Sequence, residues 1–206
     1  MKEETNVENL EEAYQGVGSF IVEIIKIVAL AFVIIVPIRV FLFQPFFVQG
    51  ASMEPNFEDG QYLIVNEFGF KETNIGLGKK VIKIEPSKTI KRQRTIVFRF
   101  PLDADKFFIK RVIGLPGEKI EVGNGQVKIY NSQSPDGFIL DEKEYLGRSA
   151  KTSGEVTITL KDDEYFVMGD NRLHSSDSRS WGPIGKEDVI GEVLVRAWPL
   201  DKISAY

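Results

Sequence analysis

The chain has 206 residues, 43% of them hydrophobic and 27% charged, and a formal net charge of -4. These proportions are ordinary for a folded protein, and the negative charge without a long basic run argues against nucleic acid as a partner. The chain contains no cysteine and a single histidine, His174. Disulfides, thiolate nucleophiles and clustered histidine or cysteine metal sites are therefore excluded, and we expect neither a metal nor a cofactor.

The N-terminal quarter of the chain changes from polar to apolar. Residues 1–18 are rich in glutamate and predict a solvated tail. Residues 19–43 are almost entirely apolar, and this length exceeds the roughly 20 residues that a bilayer-spanning helix needs. The charged Glu23, Lys26 and Arg39 can lie near the interfaces, where long side chains reach the headgroups. We therefore predict a transmembrane anchor in a lipid bilayer over residues 19–43.

Two other interpretations of the apolar segment are weaker. A cleaved signal peptide normally has a basic start and a small-x-small cleavage site, and this segment has neither. A core helix that is hydrophobic on all sides needs more surrounding protein than this chain supplies. The positive charges on the two sides of the segment are nearly balanced, so they do not predict its orientation.

Residues 44–206 predict an all-β domain, so the fold class is mostly β with a single N-terminal transmembrane helix. Short runs rich in Val, Ile, Phe, Thr and Tyr alternate with Gly, Pro, Asn and Asp clusters. Gly123-Asn124-Gly125 predicts a hairpin turn, because these residues tolerate positive φ. Residues 161–163 predict a second hairpin, between the runs EVTITL and EYFVMG. Residues 131–153 predict a loop-bearing insert.

A first candidate for chemistry is Ser52, which follows Gly50 and Ala51 in the segment GASMEPNF. Small neighbours leave its hydroxyl accessible and let a substrate backbone approach closely. The alternative is a serine in an ordinary turn that leads into a strand.

A second candidate is Lys110 in the run KFFIKRVIG. Side chains alternate along a strand, so Phe108 and Val112 share the face of Lys110. Apolar surroundings disfavour the charged ammonium and lower its pKa, and a general base near neutral pH needs a shift of roughly 2–3 units. The alternative is an edge-strand lysine whose amine reaches water.

A third candidate is the polar segment 168–182, MGDNRLHSSDSRSWG. Its density of hydroxyls and charges is typical of a loop held rigid by hydrogen bonds from side chains to the backbone. A hydroxyl in such a loop could orient a nearby lysine amine. The alternative is a solvated loop with weak surface ion pairs.

In this order, these segments resemble the bacterial type I signal peptidases, also called leader peptidases. The likeness covers essentially the whole chain. It includes the N-terminal anchor, Ser52-Met53-Glu54-Pro55, the strand QYLIVNEF, the box from Lys110 to Gly117, the box from Gly169 to Arg172, and then Ser175, Asp177, Ser178 and Arg179. It also implies a small inserted β subdomain, which we place at about residues 119–163.

The resemblance implies a role for each matching residue. Ser52 would be the nucleophile and Lys110 the general base, and Ser175 would hydrogen-bond the lysine amine. Asp177 and Arg179 would form a structural ion pair, with Asp170 and Arg111 as a second candidate pair. Apolar pockets that accept alanine-like residues, so that cleavage follows Ala-x-Ala-like sites, would be lined by Phe46, Val48, Met53, Phe57, Phe108 and Ile109.

The resemblance also implies partners and a location. The substrates would be signal peptides of secretory preproteins, with the catalytic domain on the extracytoplasmic side of the bacterial plasma membrane. The oligomeric state is not implied. Gly50 stands where some members carry a serine that contributes to the oxyanion hole, which leaves the second oxyanion donor unassigned. Asn56 replaces the usual threonine, and Glu118 replaces an aspartate.

Three competing functions remain at this point. His174 could replace Lys110 as the base, because it lies within the same polar loop. A self-cleaving serine–lysine repressor would share the dyad, but it would need a DNA-binding segment and a soluble chain. A membrane-tethered β-domain that binds a partner through a sheet edge would leave Ser52 and Lys110 far apart.

Overall fold

A computed structural model describes residues 18–35, 43–70, 73–77, 80–84, 88–147 and 151–206. The chain divides into two compact units, Met1–Leu42 and Phe43–Tyr206. The predicted tail, apart from Gly18, lies outside the described residues. So do residues 36–42, which were predicted to belong to the anchor and include Arg39.

The first unit contains helix α1, Gly18–Ile35, which is long and apolar enough to cross a membrane. Its 18 residues correspond to ~27 Å of helix, close to the ~30 Å of a hydrocarbon core. Nearly all of its side chains are exposed, although a helix that is apolar on every side normally lies in a protein core or in a membrane. The predicted anchor extends to Phe43, but Phe43 is the first residue of a strand in the second unit.

The second unit is built mainly from strands, which confirms the mostly-β fold class. The strands are β1 (Phe43–Phe47), β2 (Tyr62–Asn66), β3 (Thr73–Leu77), β4 (Lys80–Ile84), β5 (Thr95–Phe100), β6 (Asp103–Gly114), β7 (Lys119–Gly123), β8 (Gln126–Asn131), β9 (Ser134–Ile139), β10 (Val156–Thr159), β11 (Glu164–Met168), β12 (Ile184–Gly185), β13 (Val189–Trp198) and β14 (Ser204–Ala205). Helices α2 (Lys143–Leu146) and α3 (Ser178–Trp181) each make one turn. Lys186–Asp188 and Leu200–Lys202 are 3-10 helices.

An antiparallel sheet of eight strands, the large sheet, carries Lys110, and segments that connect its strands carry Ser52 and the polar loop. Its order is β1-β2-β13-β5-β6-β11-β12, with β14 paired to β13. The central strand β5 reads TIVFRF, and its first four residues are all buried, because core side chains cover both of its faces. Strand β6 pairs with β5 through Phe107–Arg111, and with β11 only from Arg111 onward. Its residues up to Lys110 therefore have one edge that no strand within the described residues covers.

A second sheet of four strands, the small sheet, has the order β10-β7-β8-β9 and lies within the predicted subdomain at about 119–163. The predicted hairpin at Gly123-Asn124-Gly125 is confirmed. Strands β7 and β8 pair from Gly123 and Gln126, and Asn124 and Gly125 both have positive φ, 52° and 79°. This conformation suits the twist of a two-residue hairpin. The insert is more ordered than predicted, since it contains β9 and α2.

The predicted hairpin at residues 161–163 is wrong. Strand β10 pairs with β7 in the small sheet, whereas β11 pairs with β6 in the large sheet. The turn at 162–163 is present, but it carries the chain from one sheet to the other. A local turn signal indicates a change of direction and does not show which strand becomes the neighbour.

Candidate active site

Ser52 lies in a compact turn that the core holds from below. Gly50 has a φ of +86°, and its N–H donates to Asp59 Oδ1 at 2.7 Å. The N–H of Phe57 donates to Met53 O at 2.9 Å, as in one turn of a helix. This geometry points Met53 and Phe57 into the core, where both are fully buried, while Ser52 stays half-buried. The turn is therefore anchored by its apolar residues and presents its serine.

Lys110 lies on β6, between Phe108 and Val112 on the same face. Its residue exposure is only 4%. The amine Nζ donates to Ser52 Oγ at 2.8 Å and to the carbonyl oxygen of Ile109 at 3.0 Å. The structure therefore brings the two predicted residues, 58 positions apart in the chain, into direct hydrogen-bond contact.

Burial lowers the pKa of Lys110 from 10.5 to about 8, and the negative charges of Asp177 and Asp170 only partly offset this effect. A pKa near 8 leaves about a tenth of the amines neutral at pH 7, whereas an unperturbed lysine would be neutral in fewer than about one molecule in a thousand. The site therefore supplies an amine that can accept a proton near neutral pH.

Asp177 and Arg179 form a buried ion pair beside the site. Arg179 donates to both carboxylate oxygens of Asp177 at 2.7 Å, and the N–H of Gly169 donates to Asp177 Oδ2 at 3.0 Å. Burial by itself would raise the pKa of Asp177, but these hydrogen bonds and the charge of Arg179 outweigh it and lower the pKa. Asp177 also caps helix α3. It therefore remains charged and fixes the polar loop.

Asp170 and Arg111 form a second ion pair, as the resemblance implied. Arg111 Nε and Nη2 donate to the two carboxylate oxygens at 2.8 and 2.6 Å, and the Asp170 side chain is fully buried. Because Arg111 directly follows Lys110, the pair joins the polar loop to the strand that carries the lysine. A bidentate pair of this kind restricts orientation as well as distance.

Ser175 does not make the hydrogen bond that the resemblance implied. Its buried Oγ makes no hydrogen bond to the Lys110 amine, which is oriented by Ser52 Oγ and Ile109 O. The Ser175 hydroxyl instead faces Asp177 and contributes to the lowered pKa of that carboxyl. Ser175 still lies near the site, because its side chain and the carbonyl of Ser52 both pack against Gly169. Its role in orienting the lysine remains a prediction without a contact in this structure.

Two residues of the polar loop were not given roles by the sequence. Gly169 approaches Ser52 and Ser175 so closely that an added Cβ would overlap the Ser52 carbonyl oxygen and the Ser175 side chain. Asn171 donates from its backbone N–H to Ser52 O at 3.0 Å and from Nδ2 to Ala51 O at 3.1 Å. Both belong to the box Gly169–Arg172, but only the folded contact shows that this box supports the nucleophile turn.

An open groove of about 610 Å³ leads to Ser52 and Lys110. It runs between β1 and the segment after it on one side and β6 on the other. Four of the predicted pocket residues line it: Phe46, Val48, Phe108 and Ile109. The other two, Met53 and Phe57, do not line it and are core residues beneath the turn. The groove is also lined by Phe47, Gln49, Leu63, Val97, Asp105, Lys106, Phe107 and Ser176.

The competing candidates have less support from the geometry. His174 is exposed in the polar loop, and its backbone N–H donates to Asn171 O at 3.0 Å. The hypothesis of a non-catalytic β-domain predicted that Ser52 and Lys110 would lie far apart. The observed distance from Lys110 Nζ to Ser52 Oγ is 2.8 Å. Within the described residues, no three His, Asp or Glu side chains gather in a way that could hold a metal ion.

The family model of signal peptidases, peptidase S26, matches residues 21–198. The chain therefore belongs to the signal peptidase family and is a peptidase.

Individual relatives extend over most of the chain. Signal peptidase I P of Bacillus subtilis subsp. natto is 32% identical over 193 residues, which cover 90% of this chain and 93% of the relative. Probable signal peptidase I-2 of Synechocystis sp. is 30% identical over 182 residues, 88% of this chain and 75% of the relative. A crystal structure of a signal peptidase I from Enterococcus faecalis V583 aligns with a TM-score of 0.42 and 29% identity, covering 51% of this chain and 97% of that one.

Proposed function

We propose that this protein removes signal peptides from exported preproteins, with Ser52 as nucleophile and Lys110 as general base. The observation that carries the proposal is the 2.8 Å hydrogen bond between Lys110 Nζ and Ser52 Oγ in a buried site whose lysine has a pKa of about 8. A hydroxyl beside an amine that is partly neutral at physiological pH is the pairing that nucleophilic catalysis requires.

The reaction steps follow from the protonation state of the Lys110 amine. In the neutral form, the lone pair of Lys110 accepts the Ser52 proton as Oγ attacks the scissile carbonyl carbon. The resulting ammonium then gives that proton to the leaving amine, which departs and leaves an acyl ester on Ser52. Attack by water, assisted in the same way by Lys110, releases the signal peptide and restores the serine. The Ser52 backbone N–H supplies one donor to the oxyanion, an interaction typically worth about 3–4 kcal/mol.

The groove suits a substrate in extended conformation. Strand β1 pairs with β2 on one side only, and β6 up to Lys110 pairs only with β5, within the described residues. Both strands therefore have main-chain groups free to bind a peptide that lies between them. Phe46, Val48, Phe108 and Ile109 give this passage apolar walls. We propose that shallow pockets between these walls admit only small side chains, so that cleavage follows Ala-x-Ala-like sites.

We also propose that helix α1 anchors the protein as a single span in the bacterial plasma membrane. Its length and composition are sufficient for a span, and the relatives named above are bacterial signal peptidases. The extracytoplasmic location of the catalytic unit rests on the family resemblance. Protease treatment of sealed cells tests this location, because a catalytic unit on the outer side should be digested without lysis.

The central experiment measures cleavage of a peptide with alanine at the first and third positions before the scissile bond. Purified full-length wild-type protein and His174→Ala should cleave it, whereas Ser52→Ala and Lys110→Ala should be inactive. His174→Ala is the matched control, since it removes the rival base from the same loop. Loss of activity in His174→Ala together with retention in Lys110→Ala would overturn the mechanism.

A further inference from the structure

The nucleophile turn, residues 50–57, forms hydrogen bonds to the polar loop at both ends of the turn. At the start of the turn, Ala51 O and Ser52 O accept hydrogen bonds from the side chain and the backbone N–H of Asn171. At the end of the turn, Asn56 Nδ2 donates to Asp170 Oδ2 at 2.9 Å. The two ends of the turn are therefore hydrogen-bonded to the consecutive residues Asp170 and Asn171. Asn56 makes the hydrogen bond at the second end.

The amide of Asn56 has a second acceptor outside this pair of segments. Nδ2 also donates to the backbone carbonyl of Tyr145 at 2.7 Å, in helix α2. Asn56 therefore uses both amide hydrogens. One bonds to the Asp170 carboxylate in the polar loop, and the other bonds to helix α2, which is separate from both β6 and the nucleophile turn.

Helix α2 is fixed by two further contacts. Glu142, at its N-terminus, accepts from Arg172 Nη1 and Nη2 at 3.0 and 2.5 Å, and the Arg172 side chain is 2% exposed. The Tyr145 ring lies 4.2 Å from the Arg111 guanidinium, which is itself paired with Asp170. A short helix with a bidentate ion pair at one end and a stacked guanidinium at the other is a firm support.

We propose that Asn56 is a positioning residue that sets the relative placement of Ser52 and Lys110 by locking the nucleophile turn to Asp170 and helix α2. This inference rests on the proposed function of Ser52 and Lys110. Arg111 joins Asp170 to the lysine strand, and Asn171 joins the same loop to Ser52. Asn56 therefore closes a ring of contacts that contains both reacting side chains, although it does not touch substrate.

Two substitutions test the proposal. Asn56→Ala removes both hydrogen bonds, and Asn56→Leu removes them while keeping a side chain of similar size. In full-length protein well below its unfolding temperature, both should lower kcat by about tenfold and leave KM within about twofold, because small displacements of reacting groups affect the chemical step most strongly. Agreement between the two variants assigns the effect to the amide and not to lost volume.

Asn131 provides a matched control on the small sheet. Its Nδ2 donates at 2.9 Å to Glu118, which is paired with Arg92 at 2.6 Å, so it repeats the amide–carboxylate–arginine arrangement away from Ser52. Asn131 Oδ1 also accepts from the backbone N–H groups of Gln133 and Ser134 at 3.1 and 2.9 Å. Asn131→Ala should therefore lower the unfolding temperature at least as much as Asn56→Ala and leave kcat unchanged.

The outcomes separate this inference from the proposed function. If the wild type and Asn131→Ala cleave the peptide, Lys110→Ala does not, and Asn56→Ala keeps full kcat, then the positioning role is wrong and the dyad stands. A loss of kcat in Asn131→Ala equal to that in Asn56→Ala would show a general stability effect and would also overturn the proposal. If the wild type itself does not cleave the peptide, the proposed function fails.

Discussion

Lys110→Met should abolish cleavage and, at neutral pH, stabilise the protein. The substitution keeps an unbranched side chain and removes the buried charge. In the folded protein the pKa of Lys110 is lowered from 10.5 to about 8 by burial. This difference corresponds to about 3 kcal/mol by which the folded state disfavours the protonated amine relative to the unfolded chain.

The pH dependence follows from the sign of this shift. Below pH 8 the lysine is protonated in both states, so the full destabilisation is present. Between pH 8 and 10.5 the unfolded chain binds more protons than the folded protein, so the stability of the wild type rises with pH until the destabilisation has disappeared. The advantage of Lys110→Met should therefore be greatest at pH 7 and lost by pH 10.5.

The net gain in the free energy of unfolding of Lys110→Met is smaller than the gain from removing the buried charge alone. Methionine cannot donate to Ser52 Oγ or Ile109 O, and the loss of these hydrogen bonds offsets about 1 kcal/mol. The remaining ~2 kcal/mol should raise the unfolding temperature by about 4–8 °C for a domain of this size.

Thermal unfolding followed by tryptophan fluorescence is a suitable assay, because the only two tryptophans, Trp181 and Trp198, lie in the second unit. Lys143→Met is the control, since that side chain is 75% exposed and should leave the unfolding temperature unchanged. A Lys110→Met protein that is less stable than the wild type at pH 7, or whose advantage persists at pH 10.5, would refute the reasoning.

Three further predictions concern activity. The kcat/KM of the wild type should rise about tenfold per pH unit between pH 6 and 7 and level off above pH 8, because the neutral form of Lys110 is the active one. His174→Ala should leave this pH profile unchanged. A rise in kcat/KM centred near pH 6.5 that disappears in His174→Ala would contradict the prediction. Gly169→Ala should reduce kcat by at least about a hundredfold, since the added methyl overlaps Ser52 O and Ser175. Gly123→Ala is the control, because a Cβ at that position meets nothing within 4 Å. Equal activity of the two variants would rule out the close packing of Gly169 against Ser52. A peptide with proline immediately after the scissile bond should not be cleaved, because proline cannot donate a main-chain hydrogen bond and has a fixed φ; turnover equal to that of the alanine peptide, measured by mass spectrometry, would disprove the extended docking.

The strands and the hairpin at Asn124 could be predicted because their signals are local. Alternation of side chains placed Lys110 on the same face as Phe108 and Val112, and the folded β6 has this arrangement. The assignment of β10 and β11 to different sheets could not be predicted, because it depends on pairing with β7 and β6, which are distant in sequence. Local patterns contain no information on such long-range choices.

Two predictions that rested on the hydrophobicity of single residues were wrong. Met53 and Phe57 were placed in the substrate pockets, but the turn bond from Phe57 N–H to Met53 O directs both into the core. Phe43 was assigned to the anchor by its hydrophobicity, yet it pairs with Asn66 as the start of β1. Hydrophobicity indicates burial in each case, and it does not distinguish lipid, pocket and core.

The join between the two sheets has a consequence for how this fold can vary in evolution. The chain leaves the large sheet after Gly114 and returns before Glu164, and the two crossings touch: Leu160 N–H donates to Glu118 O at 2.8 Å, and Gly117 N–H donates to Lys161 O at 3.1 Å. An insertion whose ends meet can lengthen, shorten or be exchanged without altering the register of its host sheet. Within the described residues, helix α2 contacts Asn56 and Arg172, and Thr152 and Ser153 contact Arg172 and Arg179. These parts of the insertion should therefore resist such changes, while the hairpins of the small sheet accept them.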